Sequence, residues 1–152
     1  MTLVYKFKKE KLKDGGIASR PRILVELIGI NGSIVIPALI DTGCDITVIP
    51  EGIAKAIGLS IKGEKQKLYA YRESNDVIIS KATITFLGKE HRQSVRIPNL
   101  PVLIALSKED VKEEEEITLG VEGIFDIFEI TFKKSQNKII FKKESNVLNT
   151  TT

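Results

Sequence analysis

The amino-acid sequence predicts one mainly β domain with one or two short helices. Three observations carry that expectation. β-Branched residues are plentiful and the apolar runs are short, which suits strands better than long helices. Turn-forming residues recur between those runs, Asn31-Gly32 foremost among them. A length of 152 residues, 42% of them hydrophobic, lies in the range of a single domain with one core.

Taken in order, Val4 to Glu10 alternates loosely, and Lys11 to Arg20 reads as a connection through Gly15-Gly16. Ile23 to Ile28 and Ser33 to Ile40 flank Asn31-Gly32. Asn-Gly between two β-branched runs predicts a hairpin, because both residues tolerate positive φ. Pro50 to Gly58 predicts a short helix, with Pro near its start, Ile53, Ala54 and Ile57 at helical spacing, and Gly as the stop. Gln66 to Tyr71 and Val77 to Phe86 form a second hairpin around the polar stretch from Arg72 to Asp76. Ser94 to Ile97 and Pro101 to Leu106 follow as two further runs, the second of buried character. The apolar positions of Val121 to Phe128 suit a second short helix despite Gly123. Glu129 to Phe132 and Ile139 to Phe141 then form a closing hairpin. Residues 1–20 read as an N-terminal strand and connection, 21–143 as the domain, and 144–152 as a polar tail that frays.

Composition excludes several functions. With 23 Lys plus Arg against 20 Asp plus Glu, the net charge of +3 gives no surface dedicated to nucleic acid. One Cys and one His, Cys44 and His91, supply neither an intrachain disulfide nor a structural zinc site. No run reaches the roughly 18 apolar residues of a membrane span, and the start carries no stretch like a signal peptide. The expected compartment is the cytoplasm, with no membrane partner.

The chemistry is concentrated in Pro37-Ala38-Leu39-Ile40-Asp41-Thr42-Gly43-Cys44-Asp45-Ile46-Thr47-Val48-Ile49-Pro50. An apolar strand delivers one carboxylate, Asp41, into a tight turn. Gly43 permits a close backbone approach there, and Thr42 offers a hydroxyl to tie the turn down. A carboxylate at the end of a buried strand is costly unless it is hydrogen-bonded or set against another titrating group, so it points to function.

This segment resembles the active-site loop of the retropepsin-like aspartic proteases: an apolar pair, Asp-Thr-Gly, a small residue, Asp, then Thr-Val-Ile. The family's second signature, an apolar pair and a glycine opening a short helix, is matched by Thr118-Leu119-Gly120. Together the signatures and the strands between them cover about Ile23 to Lys143. The resemblance implies a closed β-barrel of acid-protease type and peptide-bond hydrolysis without metal or cofactor. It assigns Asp41, Thr42 and Gly43 to catalysis, and Leu119 and Gly120 to the structure of the site. Peptide or unfolded protein is the implied substrate.

Hydrolysis by this route needs two carboxylates about 3 Å apart sharing one proton, since like charges that close cannot both ionise. This chain has one Asp-Thr-Gly and no Asp-Ser-Gly. The resemblance therefore implies a homodimer in which the second Asp41 comes from an identical subunit and each Thr42 locks the other loop. Gln66 to Phe86 takes the place of the flap that closes over substrate, with its tip between Tyr71 and Asp76. Asp45, Tyr69, Tyr71 and Arg72 are the expected substrate contacts.

Two departures stand out. Retropepsin flaps are usually glycine-rich, whereas Arg72-Glu73-Ser74-Asn75 contains no glycine. The family's arginine after the distal glycine, which pairs with the carboxylate at Asp45, is Val121 here. Asp45 is left to Arg20 or Arg22, or to face substrate alone. These departures motivate a second reading, a non-catalytic retropepsin-fold module for dimerisation or peptide binding. Other features have plainer expectations: Cys44 as a packed inert thiol, His91 in a surface turn, Glu113 to Glu116 as a solvated face, and Lys6 to Lys13 as lysines guarding a strand edge. Met1 and the polar tail read as natural ends rather than cuts from a polyprotein.

Overall fold

A computed structural model describes residues 1–70, 73–89, 93–108 and 116–144. The strands, in order, are β1 (Thr2–Tyr5), β2 (Lys8–Lys11), β3 (Ile17–Arg20), β4 (Arg22–Gly29), β5 (Gly32–Ile40) and β6 (Thr47–Pro50). Helix α1 (Glu51–Ile57) follows, then β7 (Lys65–Ala70), β8 (Glu73–Phe86), β9 (Val95–Ala105), β10 (Ile117–Leu119), β11 (Phe128–Lys133) and β12 (Lys138–Lys143). The mainly β class is as the sequence predicts.

Six of these strands close on themselves. The order β4-β5-β10-β6-β9-β8 returns to β4 through the β4–β8 pairing, and β7 extends β8 outside the ring. The short β10 holds the barrel together at its centre: it runs parallel to β5 and antiparallel to β6. Strict alternation turns Val25, Leu27, Ile36, Ala38, Ile84 and Ile104 inward, all buried. A second sheet, β1-β12-β11, packs on the barrel through Phe86, Phe128 and Phe141, whose ring centroids lie 5.1 to 5.4 Å apart. β2 and β3 form a separate two-stranded hairpin, so part of the expected Lys11–Arg20 connection is strand.

Several local expectations shift. The first hairpin forms, but Gly29 pairs with Gly32, so the turn is Ile30-Asn31 and only Gly32 of the Asn-Gly pair has positive φ. The helix end sets this: Asn31 N–H donates to Ile57 O at 2.9 Å, and a Cβ on Gly29 would stand 2.1 Å from that same oxygen. The predicted helix at Pro50 to Gly58 is present, ended by Gly58 in the left-handed region. Val121 to Phe128 is not a helix but a run of turns. Two bonds of helical span form, Phe125 N–H to Val121 O and Phe128 N–H to Ile124 O, yet Gly123 at φ +77° breaks the path between them. The runs at Ser94 and Pro101 are one strand, β9, that passes through Asn99 at φ 54°.

Candidate active site

The Asp41 loop is the segment between β5 and β6. Its start is fixed by Ile40 N–H to Pro21 O at 2.9 Å and by Asp41 N–H to Leu119 O at 3.1 Å. Within the turn, Gly43 N–H donates to Asp41 Oδ1 at 2.9 Å and Cys44 N–H to Asp41 O at 3.1 Å. The carboxylate thus caps its own loop, as aspartates in tight turns do. Asp41, Thr42, Gly43 and Asp45 are all exposed in the single chain. The strand end is buried, but the carboxylate itself is not.

The distal signature locks onto this loop. Val121 N–H donates to Cys44 O at 2.9 Å, and Glu122 N–H to Asp45 O at 2.8 Å. Gly120 lies so close that an added Cβ would stand 2.5 Å from the Ile46 carbonyl carbon and 2.8 Å from that of Asp45. Any side chain there would push the two segments apart. Leu119, 1% exposed, anchors the strand beneath. The predicted association of Asp41-Thr42-Gly43 with Leu119-Gly120 is therefore a direct backbone contact.

One residue of this arrangement was missed by sequence reasoning. Thr47 is fully buried, and its Oγ1 accepts the Gly120 N–H at 3.1 Å. A hydroxyl inside the apolar run Ile46-Thr47-Val48-Ile49 was the available signal, since a buried polar group needs a partner.

Cys44 is partly buried, and its Sγ donates to Ile46 O at 3.0 Å. Burial, and next the nearby Asp41 carboxylate, push its thiol above the ordinary range, the direction that disfavours the reactive thiolate.

Asp45 finds neither expected arginine. Arg20 lies 3.4 Å from Glu10. Arg22 pairs with the same Glu10 and grips Glu116 with two bonds, Nε at 2.5 Å and Nη2 at 2.7 Å. Glu116 is therefore not part of a solvated face; it ties the entry of β10 to β4. Glu113 to Glu115 and His91 lie outside the described residues. The bond from Arg22 holds Glu10 below the usual carboxylate range.

The predicted flap is the β7–β8 hairpin. Its tip is tighter than expected: Tyr69 pairs with Ser74, Leu68 with Asn75 and Lys67 with Asp76, so the polar stretch from Ser74 to Asp76 is strand. Both faces of this arm are solvated, and polarity there does not mark a loop. Tyr69 is 76% exposed, while Tyr71 and Arg72 lie outside the described residues. Flap and loop are joined by one transverse row on the barrel's outer face. It runs Leu39, Thr118, Val48, Leu103, Ile79 by successive strand registers. Among the described residues no group of three or more His, Cys, Asp or Glu is placed to hold a metal ion, and no helix is long and apolar enough to cross a membrane.

No protein-family model matches this chain, and no curated protein matches it. Solved structures do. A retropepsin-like aspartic protease from Rickettsia conorii superposes with a TM-score of 0.53 over 93% of this chain and 92% of that one, at 14% identity. The retroviral protease-like domain of Ddi1 from Leishmania major aligns at 0.48 and 10% identity over 82% and 97% of the chains, and the EIAV protease bound to the inhibitor HBY-793 at 0.45 and 20% over 71% and 88%. The first of these covers nearly the whole of both chains and agrees with the six-stranded closure described above. The chain has the fold of the retropepsin-like aspartic proteases.

Proposed function

We propose that this protein is an aspartic endopeptidase that acts as a homodimer, hydrolysing peptide bonds through water held between two Asp41 carboxylates. The observation that carries this reading is the loop itself: one exposed Asp41 on a turn locked by Leu119 O and Gly120. A rigid loop can hold a carboxylate in the productive position without reorganisation during reaction. A single carboxylate cannot act as both base and acid. The second comes from the same loop of a second chain, across a two-fold axis. One carboxylate takes a proton from water as it attacks the carbonyl carbon; the other, protonated, hydrogen-bonds the carbonyl oxygen, and the proton then passes to the leaving nitrogen. The pair titrates as a unit.

The remaining residues have roles consistent with this chemistry. Thr42, exposed beside Asp41, takes the role of bonding the partner's loop in this reading. Leu39, Val48 and Ile79 of the outer row are open enough to offer apolar contact to an extended peptide, and Tyr69 lies open on the flap arm beside Ser74. Asp45, with Arg20 and Arg22 both engaged by other carboxylates, is available to the peptide backbone. A peptide-library digest across pH tests the reading. Wild-type protein is expected to cleave and to be inhibited by a statine-type transition-state mimic, while Asp41→Asn cleaves nothing. Peptide capture without turnover would instead favour a binding module, and cleavage surviving in Asp41→Asn would sink the assignment.

A further inference from the structure

Between the β2–β3 hairpin and the outer face of β4–β5 lies a cavity of about 270 Å³, lined by Lys8, Arg22, Ile23, Leu24 and Pro37. The hairpin stands off the barrel. Among the described residues β2 and β3 pair only with each other, and the clamp at their base is ionic: Arg22 of β4 binds Glu10 of β2, and Arg20 of β3 lies 3.4 Å from the same carboxylate.

The floor of this groove is apolar and uncovered. Leu24 and Pro37 stand opposite one another across β4 and β5, and Leu24 is 54% exposed. An exposed leucine alone means little. Here it lies in a cavity with charged walls, the composition of a ligand site. The rim is cationic: Glu10 is shared by Arg20 and Arg22, Glu116 is held by Arg22, and Lys8 forms no ion pair among the described residues. Three cations meet two carboxylates, so the rim can answer one more carboxylate from outside.

The groove is also tied in position to the Asp41 loop. Arg22 pairs with Leu39 at the start of the outer row, and Pro37 lies four residues before Asp41 on the same strand. At a strand rise of about 3.3 Å per residue that is about 13 Å. A bound peptide in extended form has the same rise, so it reaches the groove about four residues from the bond cleaved. The exposed charges of the loop and the turn locked to it, Asp41, Asp45 and Glu122, are acidic, opposite in sign to the groove's rim.

We propose that this groove is a remote specificity site that selects acidic substrates. It takes a substrate segment carrying an aliphatic residue and an Asp or Glu two positions apart, which share one face of an extended chain. The aliphatic side chain rests on Leu24 and Pro37, and the carboxylate meets Lys8. This inference rests on the protease reading above and names its substrate class.

The peptide-library digest, repeated at low salt with the cut sites sequenced, tests it. Wild-type protein is expected to favour Asp or Glu over Lys about fivefold at about four residues from the cut, and Lys8→Glu to invert that preference. Leu24→Ser is expected to remove the aliphatic preference two positions away while the acidic one remains. No charge preference at that distance, or one that Lys8→Glu leaves unchanged, overturns the proposal. A Leu24→Ser chain whose sedimentation changes while its peptide preferences do not would make this face a contact between copies, and overturns it too. Binding separates the groove from the protease reading. Two labelled hexapeptides, one with Leu-Ala-Glu and one with Leu-Ala-Lys, are titrated into Asp41→Asn protein by fluorescence anisotropy. If wild-type protein cleaves nothing, yet the first probe binds about fivefold tighter and Lys8→Glu reverses the order, the groove stands and only the protease reading falls. Equal binding of the two probes in that case overturns the groove as well.

Discussion

The Asp41 loop and the β7–β8 flap face the same outer row of the barrel, but they are held in opposite ways. The loop is tied by backbone bonds to Pro21, Leu119 and, through Val121 and Glu122, to the distal turn, with Gly120 pressed against it at a distance no side chain permits. Among the described residues, the flap arm has strand pairing, one exposed ion pair, Lys67 to Asp76 at 3.4 Å, and two bonds from the segment after β9, Leu106 N–H to Asp76 O at 2.9 Å and Lys108 Nζ to Ser74 O at 3.4 Å. An exposed pair of that kind contributes little. In the protease reading proposed above, the more heavily tied segment is the one that would position the reacting group, and the less tied one is where substrate would enter.

That contrast can be broken most directly at Gly120. Gly120→Ala is expected to cost about 3 kcal/mol in denaturant unfolding, because the obstruction is backbone and cannot rotate away. Thr47→Val comes next. It strands the buried Gly120 N–H and is expected to cost about 2 kcal/mol, with Thr47→Ser recovering most of it. On the flap, Tyr69→Ala is expected to change stability by less than about 0.5 kcal/mol while raising KM for peptide. A Tyr69 variant as destabilised as Thr47→Val would erase the distinction between the two regions.

A smaller effect concerns acid. The Ser107 N–H holds the Glu51 carboxyl below the usual range, as Arg22 does for Glu10. A carboxyl with a lowered folded-state pKa binds protons more tightly when unfolded, so its stabilisation is full above the unfolded value and fades as pH falls through the folded one. Stability should decline below about pH 4.3, the ordinary glutamate value. Glu51→Gln should flatten that decline; an unchanged slope in pH-dependent unfolding would show the Ser107 bond to be inconsequential.

Residue patterns disclosed the parts of this molecule that are local. Asp-Thr-Gly after an apolar strand, the first hairpin, and the helix bracketed by Pro50 and Gly58 could each be read from a few neighbouring residues. Contacts between distant segments could not. The turn at Ile30-Asn31 is set by Ile57, far along the chain, and the failed helix at Val121 by Gly123, where a Cβ would meet Leu100 Cδ1 at 2.5 Å. Arg22 is drawn to Glu116 instead of Asp45 for the same reason: the pairing depends on β4, β5 and β10 lying side by side. Thr47 was visible only as an oddity in an apolar run until Gly120 gave it a partner.

The central claim is that one reaction uses one Asp41 from each of two chains. Equal amounts of wild-type and Asp41→Asn protein, unfolded together and refolded, measure it. If both carboxylates are needed, only wild-type pairs cleave, and activity per total protein falls to about a quarter of the wild-type value. A fall to about half would mean that each chain works alone, and would contradict the account.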